Sequence, residues 1–355
     1  MLTSALSEDF RLFPRTQTFW ARLSILFAWM GAWILMGAIA VGQDEPVHVQ
    51  PRTDPAAASK PDPNKPLIKE DPSLKINTKP LKVDVDLVLV SVTVTDPMNR
   101  LVTGLEKENF NLFEQNALQE IKHFSSEDEP ISLGVIFDVS GSMSNKINKS
   151  RDAIVEFFKT ANPQDEFFLI TFADKPELLS DFTNSIEDIQ GKLVYATPKG
   201  RTSLLDAIYM GMDKMHEARH PKKALLIISD GGDNRSRYTD SEIKSLVKEA
   251  DVEIYAIGIY DGLNSTTEEA RGPYLLAEIT EATGGRTFPI NDVSELTDVA
   301  TKIGVELRNQ YVLGYRPKNT ARDGKWRKVK VKLNAPKGLP PLNVHAKTGY
   351  YAPQQ

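Results

Sequence analysis

The chain has 355 residues, enough for two modest domains, and its 41% hydrophobic and 26% charged content is that of a folded protein. A formal net charge of −5 leaves no basic excess to neutralise phosphates, which argues against a nucleic-acid partner. The absence of cysteine excludes disulfides, thiolate catalysis, Cys-ligated zinc and a lipid-modified cysteine anchor.

The first element is apolar. Arg11, Arg15 and Arg22 precede an uncharged run, Leu23–Val41, nearly long enough to cross a bilayer. Ala38 and Ala40 give the small-residue pattern of a signal-peptidase site. Residues 1–42 are therefore expected to be a signal peptide or a membrane anchor. Either one exports the chain beyond Gly42, to be secreted, held in a periplasm, or tethered to the inner membrane by residues 23–41. Residues 43–80 are dense in proline and poor in large apolar side chains, as expected of a disordered linker.

In the stretch "VDVDLVLVSVTVTD", Val88, Val90, Val92 and Val94 alternate with Leu89, Ser91, Thr93 and Thr95. Period two predicts a strand with one buried face. "FNLFEQNALQEIKHFSS" predicts two more strands around Gln115–Asn116. From Ile131 the pattern changes to short apolar strands alternating with amphipathic helices. "ISLGVIFDVS", "DEFFLITFA", "KALLIISD" and "VEIYAIGIY" are the strands, and "INKSRDAIVEFFKTA" and "TSLLDAIYMGMDKM" are helices with single apolar stripes. That alternation predicts a doubly wound, mainly parallel α/β sheet with helices on both faces. After Asn309 the strands "YVLGYRP", "WRKVKVKLNA" and "LNVHAKTGYYA" return to the β pattern. The expected organisation is an α/β domain over 131–308, inserted in a small all-β sandwich formed by its two flanks, 81–130 and 309–355.

Ligands of open parallel sheets bind beyond the carboxyl ends of the strands. Asp138, Ser140 and Ser142 stand at one such end, in "FDVSGSMS", and Asp230 at another. Thr202 lies in the loop before the second striped helix. All five offer oxygen and none offers nitrogen or sulfur, a donor set for a hard cation, Mg²⁺ or Mn²⁺. A local alternative is that Asp138 and Ser140 cap the helix that begins near Lys146.

"DVSGS", "GRTSLLDA" and "ISDGGDN", in this order, resemble the metal-ion-dependent adhesion site of von Willebrand factor type A domains. The flanking β segments and terminal "GYY" are similar to a bacterial subfamily of exported type A proteins. The resemblance implies a Rossmann-like domain whose metal is held by Asp138, Ser140, Ser142, Thr202 and Asp230. It also implies a non-enzymatic, adhesion-type function in which a partner protein supplies an Asp or Glu carboxylate to that metal. Arg201 stands where the family often has glycine. On this reading the membrane is engaged only through the N-terminal segment.

An alternative is an Mg²⁺-dependent hydrolase using the same strand-end carboxylates, with Lys199 nearby, although Ser140 stands where a second carboxylate is common. A literal H-E-x-x-H occurs at His216–His220, but Pro221 ends the helix there and His345 is distant, so a solvated helix end is expected instead. Neither nucleotide-binding glycine motif is present. The alternating Lys328, Lys330 and Lys332 predict a solvated strand face that discourages edge pairing.

Overall fold

The computed structural model of the protein describes residues 87–260 and 271–354. The expected signal or anchor over 1–42 and the linker over 43–80 lie outside the described residues.

The first flank supplies β1 (Val88–Thr95), β2 (Phe110–Glu114), β3 (Ala117–Gln119) and β4 (Ile121–Ser125). Gln115 and Asn116 both take positive φ, 47° and 68°, as a tight two-residue hairpin between β2 and β3 requires. The Gln115 side chain donates to the Trp326 carbonyl at 3.0 Å, which anchors a residue unusual in that conformation. The segment makes three strands where two were expected. After Gln119 the chain leaves one sheet and enters the other as β4.

The α/β unit comes next. Its strands are β5 (Ile131–Asp138), β6 (Glu166–Phe172), β7 (Pro176–Thr183), β8 (Lys222–Ser229), β9 (Glu253–Ile259) and β10 (Thr287–Ile290). They form one sheet in the order β10-β9-β8-β5-β6-β7, parallel except for the edge strand β7. The helices α1 (Ile147–Lys159), α2 (Ile186–Leu193) and α6 (Leu296–Arg308) cover one face. The other face carries α3 (Leu204–Lys214), α4 (Asp240–Glu249) and α5 (Gly272–Thr283). Leu133, Val135 and Phe137 of β5 join the first core, and Ile136 joins the second. Burial on both faces explains why these strands read as continuous apolar runs. Each fully buried large side chain, such as Phe157 or Ile227, contributes about 1.5–3 kcal/mol of transfer free energy. The edge strand β7 and the short α2 were not legible in the sequence, because β7 is only partly buried, with no clean alternation, and α2 has only two turns.

The second flank closes the β unit with β11 (Tyr311–Tyr315), β12 (Trp326–Leu333), β13 (Asn343–Ala346) and β14 (Gly349–Tyr351). Strands from both flanks make two four-stranded sheets, β13-β1-β11-β4 and β14-β12-β2-β3. Val90, Val92, Leu112, Leu313, Tyr315 and Val329 share one core between them. The lysines of β12 are exposed while Val329 and Val331 are buried, as the alternation predicts. However, β12 is an inner strand bonded to β14 and β2, so its lysines solvate a face and protect no edge.

The one-wet-face expectation for β1 fails at its end. Thr93 and Thr95 are fully buried, because the α/β unit packs on that side. Gln310 donates to both oxygens of half-buried Glu253, at 2.8 and 2.7 Å, and to Thr93 at 3.2 Å. The Tyr255 hydroxyl donates to Glu253 at 3.2 Å. Most of this polar junction is satisfied internally, the condition under which burying such groups is tolerated, but the Gln310 Oε1 is buried without a partner among the described residues.

Candidate functional site at the carboxyl edge of the sheet

Asp138 is the last residue of β5 and is fully buried. Its Oδ1 accepts the Ser140 backbone N–H at 2.8 Å, and its Oδ2 accepts the Ser229 hydroxyl at 2.6 Å. Neither oxygen caps a helix: α1 has Lys146 at its N-cap and no side-chain cap. The local alternative for Asp138 and Ser140 is thereby removed. The hydroxyls of Ser140, buried, and Ser142, exposed, lie 3.0 Å apart at the start of a short 3₁₀ turn.

Backbone hydrogen bonds tie this loop to the one carrying Thr202. The Lys199 N–H donates to the Val139 carbonyl at 2.9 Å, and the Gly141 N–H to the Gly200 carbonyl at 3.1 Å. Buried Thr202 is tied in turn to the loop after β8. Its N–H donates to Asn234 Oδ1 at 3.1 Å, and the Asn234 N–H returns to the Thr202 carbonyl at 3.0 Å. Asp233 accepts the Leu205 N–H at 2.9 Å, holding the start of α3 against that loop.

Asp230 is 4% exposed. Its Oδ1 accepts the Gly232 N–H at 3.3 Å, while its buried Oδ2 has no hydrogen-bond partner among the described residues. The next residue, Gly231, has φ +78°, and a Cβ there would lie 2.7 Å from the Gly272 Cα. Only glycine permits that backbone conformation together with so close an approach of α5.

Burial, and then the charge of Asp230, push the Asp138 carboxyl up to about 7 against the opposing hydrogen bonds of Ser140 and Ser229. Burial, and then Asp230, also raise the Tyr260 hydroxyl to about 12, and that hydroxyl is buried without a partner among the described residues. The Ser203 hydroxyl is likewise buried and without a partner among them. Two buried carboxylates in electrostatic contact, beside unsatisfied oxygens, fit a hard cation by donor chemistry. Ser229 and Tyr260 are members of this environment that the sequence reading missed. Their positions at the ends of β8 and β9 were the available signal.

The other motif is dispersed. His216 lies in a 3₁₀ turn, and its ring contacts the Asp213 carbonyl at 3.0 Å. His220 lies beyond the helix, where its ring contacts the Gln164 carbonyl at 2.9 Å. The two histidines therefore share no helical face. Arg219 does not serve a helix end but pairs with buried Glu166 at 2.8 Å.

A family model described as von Willebrand factor type A domain matches residues 133–232, a span from within β5 to two residues past Asp230. This segment is a von Willebrand factor type A domain. The type A domain thus contains Asp138, Ser140, Ser142, Thr202 and Asp230. An uncharacterized protein of Borreliella burgdorferi is 23% identical over 182 residues, covering 44% of this chain and 53% of its own. Inter alpha-trypsin inhibitor, heavy chain 4, of Mus musculus is 30% identical over 146 residues, covering 37% of this chain and 16% of its own. The chain therefore spans about half the length of the first relative and far less of the second. Among solved structures, a von Willebrand factor type A protein from Catenulispora acidiphila is similar at a TM-score of 0.46 and 11% identity, over 76% of this chain and 75% of that one.

Proposed function

We propose that this protein is an extracytoplasmic, metal-dependent protein-binding module. Asp138, Ser140, Ser142, Thr202 and Asp230 hold Mg²⁺ or Mn²⁺, directly or through water, and a partner protein supplies an Asp or Glu carboxylate. The observation that carries this reading is the buried, unpartnered Oδ2 of Asp230 beside the buried carboxylate of Asp138. Two like charges held out of water are costly unless a cation joins them. A bound dication supplies a coordination position for an outside carboxylate. The hydroxyl donors add no charge, so the residues leave the ion electrophilic toward an acidic partner.

The domain over 131–308 is inserted between the sandwich halves 81–130 and 309–355. The segments 1–42 and 43–80 export and space it. No helix among the described residues is long and apolar enough to cross a membrane. The anchor reading rests on the uncharged apolar run of residues 23–41.

Thermal unfolding in an Mg²⁺ titration tests the proposal. Ligand binding to the folded state stabilises by about 2.7 kcal/mol at a concentration one hundred times Kd, or roughly 2–4 °C per kcal/mol for a domain of this size. We expect the midpoint to rise with Mg²⁺ in the wild type and to stay fixed in Asp138→Ala. A wild-type midpoint indifferent to Mg²⁺ and Mn²⁺ would remove the metal from the account.

A further inference from the structure

The sheet β14-β12-β2-β3 buries one face in the sandwich core and turns the other to solvent. The pairing register identifies what stands on the outer face. Exposed Lys328, Lys330 and Lys332 alternate with buried Arg327, Val329 and Val331. Phe113 lies opposite Lys330, Asn111 opposite Lys332 and Leu118 opposite Phe113. At the other end of β12, Trp326 lies opposite Tyr351, and their rings meet edge to face at 5.0 Å. The outer face thus carries three lysines, three aromatic rings and an exposed leucine. Glu114 is the only acidic residue in these four strands, and it is buried on the inner face.

The three ammonium groups have no ion pair or hydrogen bond among the described residues, and that of Lys332 lies 5.2 Å from the Phe113 ring centroid. Acidic residues around the rim have cations beside them. Asp323 lies 3.4 Å from Arg327 and 3.9 Å from Lys325, and Glu120 lies 2.6 Å from Lys122. Glu106 and Glu108, just before β2, flank Lys107. The rim is therefore close to neutral, and the basic character belongs to the face itself, on a chain whose net charge is −5.

Residues two apart on a strand are roughly 7 Å apart, so the lysines form one flat row of charge. A lysine ammonium is a point charge on a flexible stem, suited to a layer of mobile phosphates more than to one fixed carboxylate. Tryptophan and tyrosine are the rings that settle at the headgroup level of a bilayer. The course of the chain favours the same partner. Leu87, the first described residue, lines a groove with Tyr351 at the aromatic end of this face. The segment that leads back to the apolar run 23–41 therefore leaves the fold beside it.

We infer that the outer face of this sheet docks on an anionic phospholipid bilayer. Lys328, Lys330 and Lys332 meet headgroup phosphates, and Trp326 and Tyr351 lie at the interface. This membrane contact is distinct from the N-terminal segment and from the metal site. It rests on the export reading only for bringing the bilayer within reach. The sandwich joins the α/β unit where β5 begins, at the edge opposite Asp138, so a docked face leaves that site open to a partner.

The test uses the full chain reconstituted in vesicles of phosphatidylcholine, with or without phosphatidylglycerol. Because the sequence has no cysteine, Leu118→Cys places a single donor dye on the face and Val194→Cys a single dye on the α/β unit. Energy transfer to an acceptor-labelled lipid is read for each. We expect phosphatidylglycerol to raise transfer from position 118 more than from position 194. The gain should vanish in about 1 M salt, where the screening length is about 3 Å. Lys328→Gln/Lys330→Gln/Lys332→Gln should abolish it with the thermal midpoint unchanged. Each lysine near an anionic surface strengthens attachment roughly fivefold, and three together roughly a hundredfold. Equal transfer in the two kinds of vesicle overturns the inference, even if the face binds an oligonucleotide or polyglutamate. So does a gain that survives the triple substitution, or one that is larger at position 194. The anchor reading is tested separately, by flotation with phosphatidylcholine vesicles in about 1 M salt. If flotation fails there, lysine-dependent binding to phosphatidylglycerol vesicles still supports the docking face.

Discussion

Ser229 donates its hydroxyl to Asp138 at 2.6 Å across the β5–β8 ladder, and the same hydroxyl accepts the Gly231 N–H at 3.0 Å. One serine thus sets the rotamer of the first carboxylate and the turn that presents the second. Ser229→Ala would leave a buried carboxylate oxygen and a buried N–H without partners. We expect a loss of about 1–3 kcal/mol in urea unfolding, together with weaker Mg²⁺ stabilisation. Unchanged stability would mean that water replaces the hydroxyl without cost.

Asp138→Asn separates charge from shape. The amide can still accept from Ser140 and donate to Ser229, but it removes one of two like charges. In EDTA we expect its melting midpoint to equal or exceed that of the wild type. In saturating Mg²⁺ the order should reverse. A variant less stable than the wild type in EDTA would show that the Asp138 charge is not a burden in the metal-free protein.

Gly231→Ala acts on backbone. Its φ of +78° and the 2.7 Å approach to Gly272 leave no room for a Cβ. A loss of about 1–3 kcal/mol is expected, read as a lower urea midpoint, with Asp230 displaced and the Mg²⁺ response reduced. The neighbouring exposed position Arg235→Ala should leave the midpoint unchanged.

In the sandwich, Glu114 is buried, with its Oε1 3.6 Å from Arg327 and its Oε2 accepting the hydroxyls of Tyr315 and Tyr350, each at 2.8 Å. Removing Glu114 leaves the Tyr315 and Tyr350 hydroxyls without their acceptor, while Arg327 keeps Asp323 and the carbonyls of Asn319 and Ala321. Glu114→Ala is expected to cost about 2–3 kcal/mol in chemical denaturation. A loss under about 1 kcal/mol would contradict the role given to this group.

His345 gives the fold an acid limit. Burial, and then the nearby Arg286 charge, push its imidazole down to about 4 from the ordinary 6.5. The unfolded chain therefore binds the extra proton between these values. The contribution is complete above pH 6.5 and is lost as pH falls toward 4. After allowing for the ring's partial exposure, the loss is on the order of 2 kcal/mol. His345→Gln should flatten that limb of the stability–pH curve relative to the wild type. Superimposable limbs would place the acid sensitivity elsewhere.

Legibility in the sequence depended on range. The runs Ile131–Asp138 and Lys222–Ser229 announced central parallel strands because both of their faces are buried. Asp138, Ser140 and Ser142 were visible as one local cluster, whereas Thr202 and Asp230 were joined to it through motif order. The structure ties their loops together by Gly141–Gly200 and Thr202–Asn234. Ser229 offered only its place at a strand end, a weak signal, because a serine ending an apolar strand looks like any strand end. The burial of Thr93 was hidden for another reason: it is created by Gln310 and Tyr255, residues far along the chain. β7 escaped notice because its exposed Glu177 and Asp181 blur the two-residue period that marks a half-buried strand.

Direct binding of Mn²⁺, followed by the loss of the free-ion paramagnetic resonance signal, is the most immediate test of the account. We expect one equivalent to bind to the wild type, to be displaced by Mg²⁺, and to be lost in both Asp138→Ala and Asp230→Ala. Binding that persists in both variants, or no binding to the wild type at all, would contradict it.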